Sequence, residues 1–231
     1  MAHCMVEHEA DLVAEDSKNA SKKFSSPQST NKEKAYIFVD HSNVSEHGVD
    51  FARMARLIEN PLHQRSAEIT TRFVAGSTPA ADTSSTQLDS KQRQWEQAGY
   101  EVHTFPRNGA HGGREFGVDD MLHAKVFHQI HLANLEDSKR KKKGQNSKTA
   151  HTLVLLTGDG NDNSGRTTFV DTVKIALEYG WRVELWSWKT SLNRAYRELA
   201  RQHSPCTSEG GAGLVLKFLD ASRPWLCHLP S

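Results

Sequence analysis

From Lys34 onward, short apolar runs alternate with longer stretches of helical periodicity. Tyr36–Val39 is a run of aromatic and β-branched residues too short for a helix, and it predicts a strand. Phe51, Met54, Ala55, Leu57 and Ile58 recur at helical spacing and predict a helix that Pro61 brings to an end. Glu68–Ala75 (EITTRFVA) predicts a strand closed by Gly76, followed by a Ser/Thr/Pro/Ala loop. A helix over Leu88, Lys91 and Trp95 stops at Gly99, and Tyr100–Phe105 alternates like a strand. Val118, Met121, Leu122, Val126 and Ile130 form a helical stripe. Glu136–Thr149 is charged and lacks periodicity, so it reads as a flexible loop. Thr152–Leu156 is the most apolar strand, and Phe169, Val170, Val173 and Leu177 predict a helix closed by Gly180. A strand over Trp181–Trp188, a helix over Leu192–Leu199 and a strand over Leu214–Leu219 complete the chain.

Strands regularly separated by helices require crossover connections, hence a mainly parallel central sheet with helices on both faces. The predicted class is a three-layer, Rossmann-like α/β fold. Residues 1–33 are polar and unpatterned and predict a disordered tail. Residues 34–222 predict one domain that contains the basic loop 136–150, and residues 223–231 a C-terminal tail.

Composition narrows the setting. Of 231 residues, 36% are hydrophobic and 25% charged, and no apolar run approaches the ~20 residues of a membrane span. The first residues lack the apolar core of a signal peptide. Cys4, Cys206 and Cys227 are widely spaced, odd in number and outside any CxxC pattern. These features predict an intracellular protein, cytoplasmic or nuclear, with free thiols, no zinc knuckle and no membrane partner. The net charge of +1 conceals an acidic amino end (Glu7, Glu9, Asp11, Glu15, Asp16) and the basic run KRKKK, Lys139–Lys143.

In doubly wound sheets, ligands bind beyond the carboxyl ends of the strands. Asp40 and Asn43 follow the first predicted strand, in FVDHSN. Thr157-Gly158-Asp159-Gly160-Asn161-Asp162 follows the fourth, its glycines permitting a sharp turn. Asp119 and Asp120 head a helix in FGVDDML. Taken singly, each is an ordinary turn or cap residue. If the first and fourth strands are neighbours, they converge on one sheet edge. Carboxylates gathered without His or Cys call for a hard cation, Mg²⁺ or Mn²⁺.

In that order and on those elements, FVDHSN, GVDD and LLTGDGND resemble the NYN domain, a branch of the PIN-like nucleases. The resemblance spans roughly Lys34 to Ser222. It implies a Mg²⁺- or Mn²⁺-dependent endoribonuclease in which Asp40, Asp119 and Asp159 bind metal and Asn43 orients Asp40 or a water. Many relatives carry a second acid two residues after the position of Asp159. Here Asn161 stands there and Asp162 follows, so either could complete the set, with Asp120 as a further candidate. A lysine that often precedes GVD is replaced by Glu115-Phe116.

RNA is the partner so implied. Arg166, Thr167 and Thr168 at a helix start suit a phosphate, against plain N-capping. Arg107, His111 and Arg114 suit RNA-backbone contacts, against a solvated loop. KRKKK reads as a solvated run, an RNA contact or a nuclear signal. His123, His128 and His131 share one helix but lack the four close ligands of structural zinc. Trp181, Trp186 and Trp188 read as core or edge packing rather than base-stacking residues. Two rival functions stand beside the nuclease: a catalytically weak RNA-binding module, and an aspartate-based phosphatase. The second lacks a carboxylate at Ser42, two residues after Asp40. Oligomeric state stays open, a dimer included.

Overall fold

Parallel strands need connections long enough to carry a helix, and the spacing of the apolar runs supplies them. The computed structural model describes residues 32–45, 48–78, 85–106, 117–144, 149–160, 167–205 and 211–227. Six strands, β1 (Glu33–Asp40), β2 (Glu68–Thr78), β3 (Glu101–Pro106), β4 (Ala150–Leu156), β5 (Arg182–Ser187) and β6 (Gly213–Phe218), form one sheet in the order β3-β2-β1-β4-β5-β6. Every pair is parallel.

The helices are α1 (His41–Val44), α2 (Phe51–Gln64), α3 (Ser85–Gln97), α4 (Val118–Lys142), α5 (Phe169–Glu178), α6 (Arg194–Gln202) and α7 (Arg223–Leu226). They cover the sheet from both sides, and each side has its own core. Tyr36, Phe38, Leu153 and Leu155 face α4, α5 and α6 through Leu122, Val126, Val173 and Tyr196. Ala35, Ile37, Val39, Val154 and Leu156 face α2, α3 and α7 through Met54, Ile58, Trp95 and Leu226. Neighbouring residues of β1 and β4 thus serve opposite cores, which is why both strands read as unbroken apolar runs. Trp181, Trp186 and Trp188 are all buried in these cores, as read from the sequence.

Four boundaries differ from expectation. The domain starts at Lys32, whose carbonyl accepts from Ala150 N at 3.2 Å, and Glu33 already belongs to β1. Residues 1–31, with Cys4 and the acidic run, lie outside the described residues. Helix α2 continues through Pro61 to Gln64 because burial of Leu62 outweighs the hydrogen bond that proline cannot make. The supposed flexible loop from Glu136 is helical as far as Lys142. Lys34 Nζ holds Glu136 at 2.8 Å, Arg140 donates to Thr149 Oγ1 at 2.8 Å, and four cations complement the carbonyl end of α4. The supposed C-terminal tail includes α7, where Leu226 is fully buried and its carbonyl accepts from Asp50 N at 2.9 Å. Cys227, a free thiol, follows it in an isolated bridge to Val49. No helix among the described residues is long and apolar enough to cross a membrane.

One buried charge cluster ties the amino-proximal half of the sheet to α2. Glu184 of β5 has no exposed surface and meets Arg182 at 2.9 Å, Arg65 at 3.0 Å and Lys217 at 2.8 Å. Glu33 joins it through Arg65 at 3.2 Å. Burial by itself raises the Glu184 pKa, but Lys217, Arg65 and Arg182 together hold it below the usual carboxylate value. A carboxylate with a depressed pKa stabilises the fold above its unfolded pKa, and the contribution disappears as pH falls through the folded value. Replacing Glu184 with Gln takes the carboxylate from Arg182 and Lys217 and leaves Arg65 with Glu33 alone, and should destabilise the protein by about 3 kcal/mol at pH 7, with a smaller difference in acid. Urea unfolding of both proteins at neutral and acidic pH tests this.

Candidate functional site

The strand order reverses between β1 and β4, and their chain continuations leave the sheet toward opposite faces. In doubly wound sheets, the crevice that takes a ligand forms at such a reversal, beyond the carboxyl ends of the two strands. Val39 pairs with Leu156, so Asp40 ends β1 directly beside Thr157, the residue that follows β4.

Asp40 is 1% exposed. It caps α1, accepting from Asn43 N at 3.4 Å, and the Asn43 side-chain amide donates to its Oδ2. The Thr157 hydroxyl donates to the same Oδ2 at 3.3 Å and accepts from Asp159 N at 3.2 Å. One buried hydroxyl therefore joins the residue that ends β1 to the loop that carries Asp159. A second clamp comes from α6: Tyr196 Oη donates to the Asp159 carbonyl at 2.7 Å. Burial raises the Tyr196 pKa well above its ordinary value, and the charges of Asp159, Asp40 and Asp119 raise it further. Tyr196 thus stays a neutral donor.

The glycines of this loop are dictated by close approach. A Cβ on Gly158 would stand 2.4 Å from the Ser191 carbonyl oxygen, and one on Gly160 would stand 3.0 Å from Asn193. Asn193 N donates to the Gly158 carbonyl at 3.0 Å, fastening the β5–α6 connection across the loop.

Asp119 and Asp120 occupy the first turn of α4 but serve different neighbours. The charge of Asp119 acts on Tyr196, whereas that of Asp120, which is exposed, acts on His123. Asn161, Asp162, Arg166, Arg107, His111 and Arg114 lie outside the described residues, as do Glu115 and Phe116. Thr167 is exposed, and Thr168 is the N-cap of α5. Its hydroxyl accepts from Asp171 N at 3.2 Å and donates to Asp171 Oδ2 at 2.8 Å in a capping box. A carboxylate already occupies that helix end, so of the two readings of Thr168 plain capping is the one observed.

The sequence alone marks His41 as no more than a loop residue after the first strand. It opens α1, accepts from Trp95 Nε1 at 3.3 Å and lies so close to Gly76 that a Cβ there would meet it at 2.8 Å. Thr157 and Tyr196 were not singled out from the sequence. Thr157 could have been suspected as the hydroxyl that follows a strand beside the acid motif, but nothing local marks Tyr196.

The oxygen donors here suit a hard divalent cation with a water-rich shell. Among the described residues, no three His, Cys, Asp or Glu side chains form a ready-made metal cage. No protein-family model and no curated protein matches this chain.

His123 belongs to the packing beside the site. Its Nδ1 lies 2.7 Å from Thr172 Oγ1, whose own proton goes to the Thr168 carbonyl at 3.2 Å. His123 Nδ1 is therefore the donor, and Nε2 is left buried and deprotonated, without a partner among the described residues. Burial lowers its pKa, partly opposed by Asp120 and Asp171. A histidine held neutral in the fold takes up a proton more readily when unfolded, so stability should decline as pH falls below about 6.5. Urea midpoints at pH 7.5 and 5.5 should show this decline, and His123→Phe should reduce it. Thr157→Val preserves shape but strands the Asp159 amide, and should cost about 1–3 kcal/mol in the same assay.

Proposed function

We propose that this chain is a metal-dependent endoribonuclease of the PIN-like type that resembles NYN domains, and that the β1–β4 crevice is its active site. The observation that carries this reading is the Asp40–Thr157–Asp159 linkage at the carboxyl ends of β1 and β4. The donor set fits Mg²⁺ or Mn²⁺: carboxylates at Asp40, Asp159 and Asp119, completed by Asp162 or Asn161, with water in the remaining positions. Such an ion lowers the pKa of a water and neutralises charge developing on a phosphodiester.

The chain's own residues supply the positioning. Asn43 and Thr157 fix the Asp40 carboxylate in one orientation at the end of β1. Tyr196 and Asn193 hold the Asp159 loop against the sheet, and Gly158 and Gly160 let it lie close to the β5–α6 connection. An RNA phosphate entering the crevice would be oriented for in-line attack by a water, with the 3′- or 5′-oxygen as leaving group. The reading that competes is an RNA-binding module with little activity, and it rests on Asn161 standing where an acid is expected.

Purified protein should cleave single-stranded RNA with Mn²⁺ and lose cleavage in EDTA. Asp40→Ala and Asp159→Asn should each lower the rate by about 100-fold or more, and Asn43→Ala by about 10-fold. Retained cleavage in both aspartate variants would remove this site from consideration. Binding without cleavage by the wild type would favour the module.

A further inference from the structure

The opposite end of the sheet holds a second constellation. A cavity of about 240 Å³ lies beside the amino ends of β4 and β5 and the C-terminal half of α4. Its walls include Asn134, Asp137, His151, Tyr179, Trp181 and Arg182. Tyr36 and His151 stack on the Trp181 ring at 5.1 and 4.9 Å. His151 is fully engaged: its Nε2 donates to Asp137 at 3.1 Å, so its Nδ1 accepts from Tyr36 Oη at 3.3 Å. Trp181 is 1% exposed, yet its indole N–H has no acceptor among the described residues. A buried donor without a partner is costly. Tyr179, by contrast, is 56% exposed and offers an aromatic face at the cavity.

The same stretch of α4 that supplies Asn134 and Asp137 runs directly into Lys139, Arg140, Lys141, Lys142 and Lys143. The lysines are exposed, while Arg140 is turned inward to Thr149, another wall residue. A helix terminus carries roughly half an elementary charge, far less than four lysines supply. The surplus positive field faces solvent next to an aromatic cavity.

These parts have one natural ligand. A basic surface alone suits any polyanion. A cavity of this volume with the exposed aromatic ring of Tyr179 at its wall suits an unpaired base. Asp137 and Glu33 in the wall disfavour a phosphate inside, so the base enters and its backbone stays on the lysines. We infer that this cavity and the cationic end of α4 form an accessory site for single-stranded nucleic acid. One base sits against Tyr179, and the flanking phosphates lie on Lys141–Lys143. The inference rests on the ribonuclease reading for the choice of RNA. Along α4 the site lies about 30 Å from Asp119, so a stacked strand that reaches both needs about ten nucleotides.

Fluorescence anisotropy on the full chain in EDTA tests the site without cleavage, using a labelled 16-nucleotide RNA, a 6-nucleotide RNA and a 16-base-pair DNA duplex. The combined variant Lys141→Glu/Lys142→Glu/Lys143→Glu should weaken 16-mer binding at least tenfold and flatten its salt dependence. Tyr179→Ala should weaken it about fivefold or more. All four side chains are exposed, and circular dichroism checks that the variants fold. The 16-mer should bind at least tenfold more tightly than the 6-mer or the duplex. Either variant within twofold of wild type, or equal affinity for the duplex, overturns the site. A wild type that binds through these residues but cuts nothing with Mn²⁺ keeps the site and rejects the nuclease. A wild type that cuts RNA with KM unchanged in both variants keeps the nuclease and rejects the site.

Discussion

The parallel pairing of β1 with β4 is the contact on which the candidate site depends. It joins two strands that are far apart in sequence and whose helices depart to opposite faces of the sheet. Register then does the rest: with Val39 opposite Leu156, Asp40 and Thr157 emerge side by side at a spacing set by the sheet itself. A one-residue slip would turn every side chain of β1 to the other core, so the two buried faces lock the register and, with it, the position of the aspartate. The site inherits its precision from hydrophobic packing.

Burial sharpens the chemistry that this pairing creates. Asp40 is buried, and its orientation is held by an amide and a hydroxyl. Tyr196, kept neutral by burial, donates to the main-chain carbonyl of Asp159. At the amino-proximal side, the buried carboxylate of Glu184 is instead met by three cations. The two acidic groups differ in what completes them. Glu184 is compensated by the chain's own cations and reads as structural, whereas the partners of Asp40 include the Asn43 amide and the Thr157 hydroxyl. The basic end of α4 lies about 30 Å from its acidic beginning, so one helix spans both ends of the molecule.

Much of this was legible in the chain. Alternation of apolar runs with helical stripes dictates six strands, their helices and a sheet covered on both faces, because crossovers must be long and buried strands must be apolar throughout. The acids after the first and fourth strands were legible as candidates for the same reason: the carboxyl edge is where a doubly wound sheet leaves its loops. What local pattern mis-stated were ends of elements. Pro61 signals a stop, but Leu62 is pulled into the core; the charged run after Leu135 signals a loop, but Lys34 and Thr149 hold Glu136 and Arg140 on a continuing helix. Long-range contacts outweigh local propensity in both cases.

The sequence by itself determined the layers, the strand count and the identity of the acids, since these follow from periodicity and residue type. Only the tertiary structure decided that β1 and β4 are neighbours, that Thr157 and Tyr196 hold the Asp159 loop, and that His41, read as a loop residue, is a packing residue against Gly76 and Trp95. It also brought Tyr179, Trp181 and His151 to one cavity beside the lysines of α4. Each of these depends on contacts between residues distant in the chain, and such contacts leave no signature in the local order of residues.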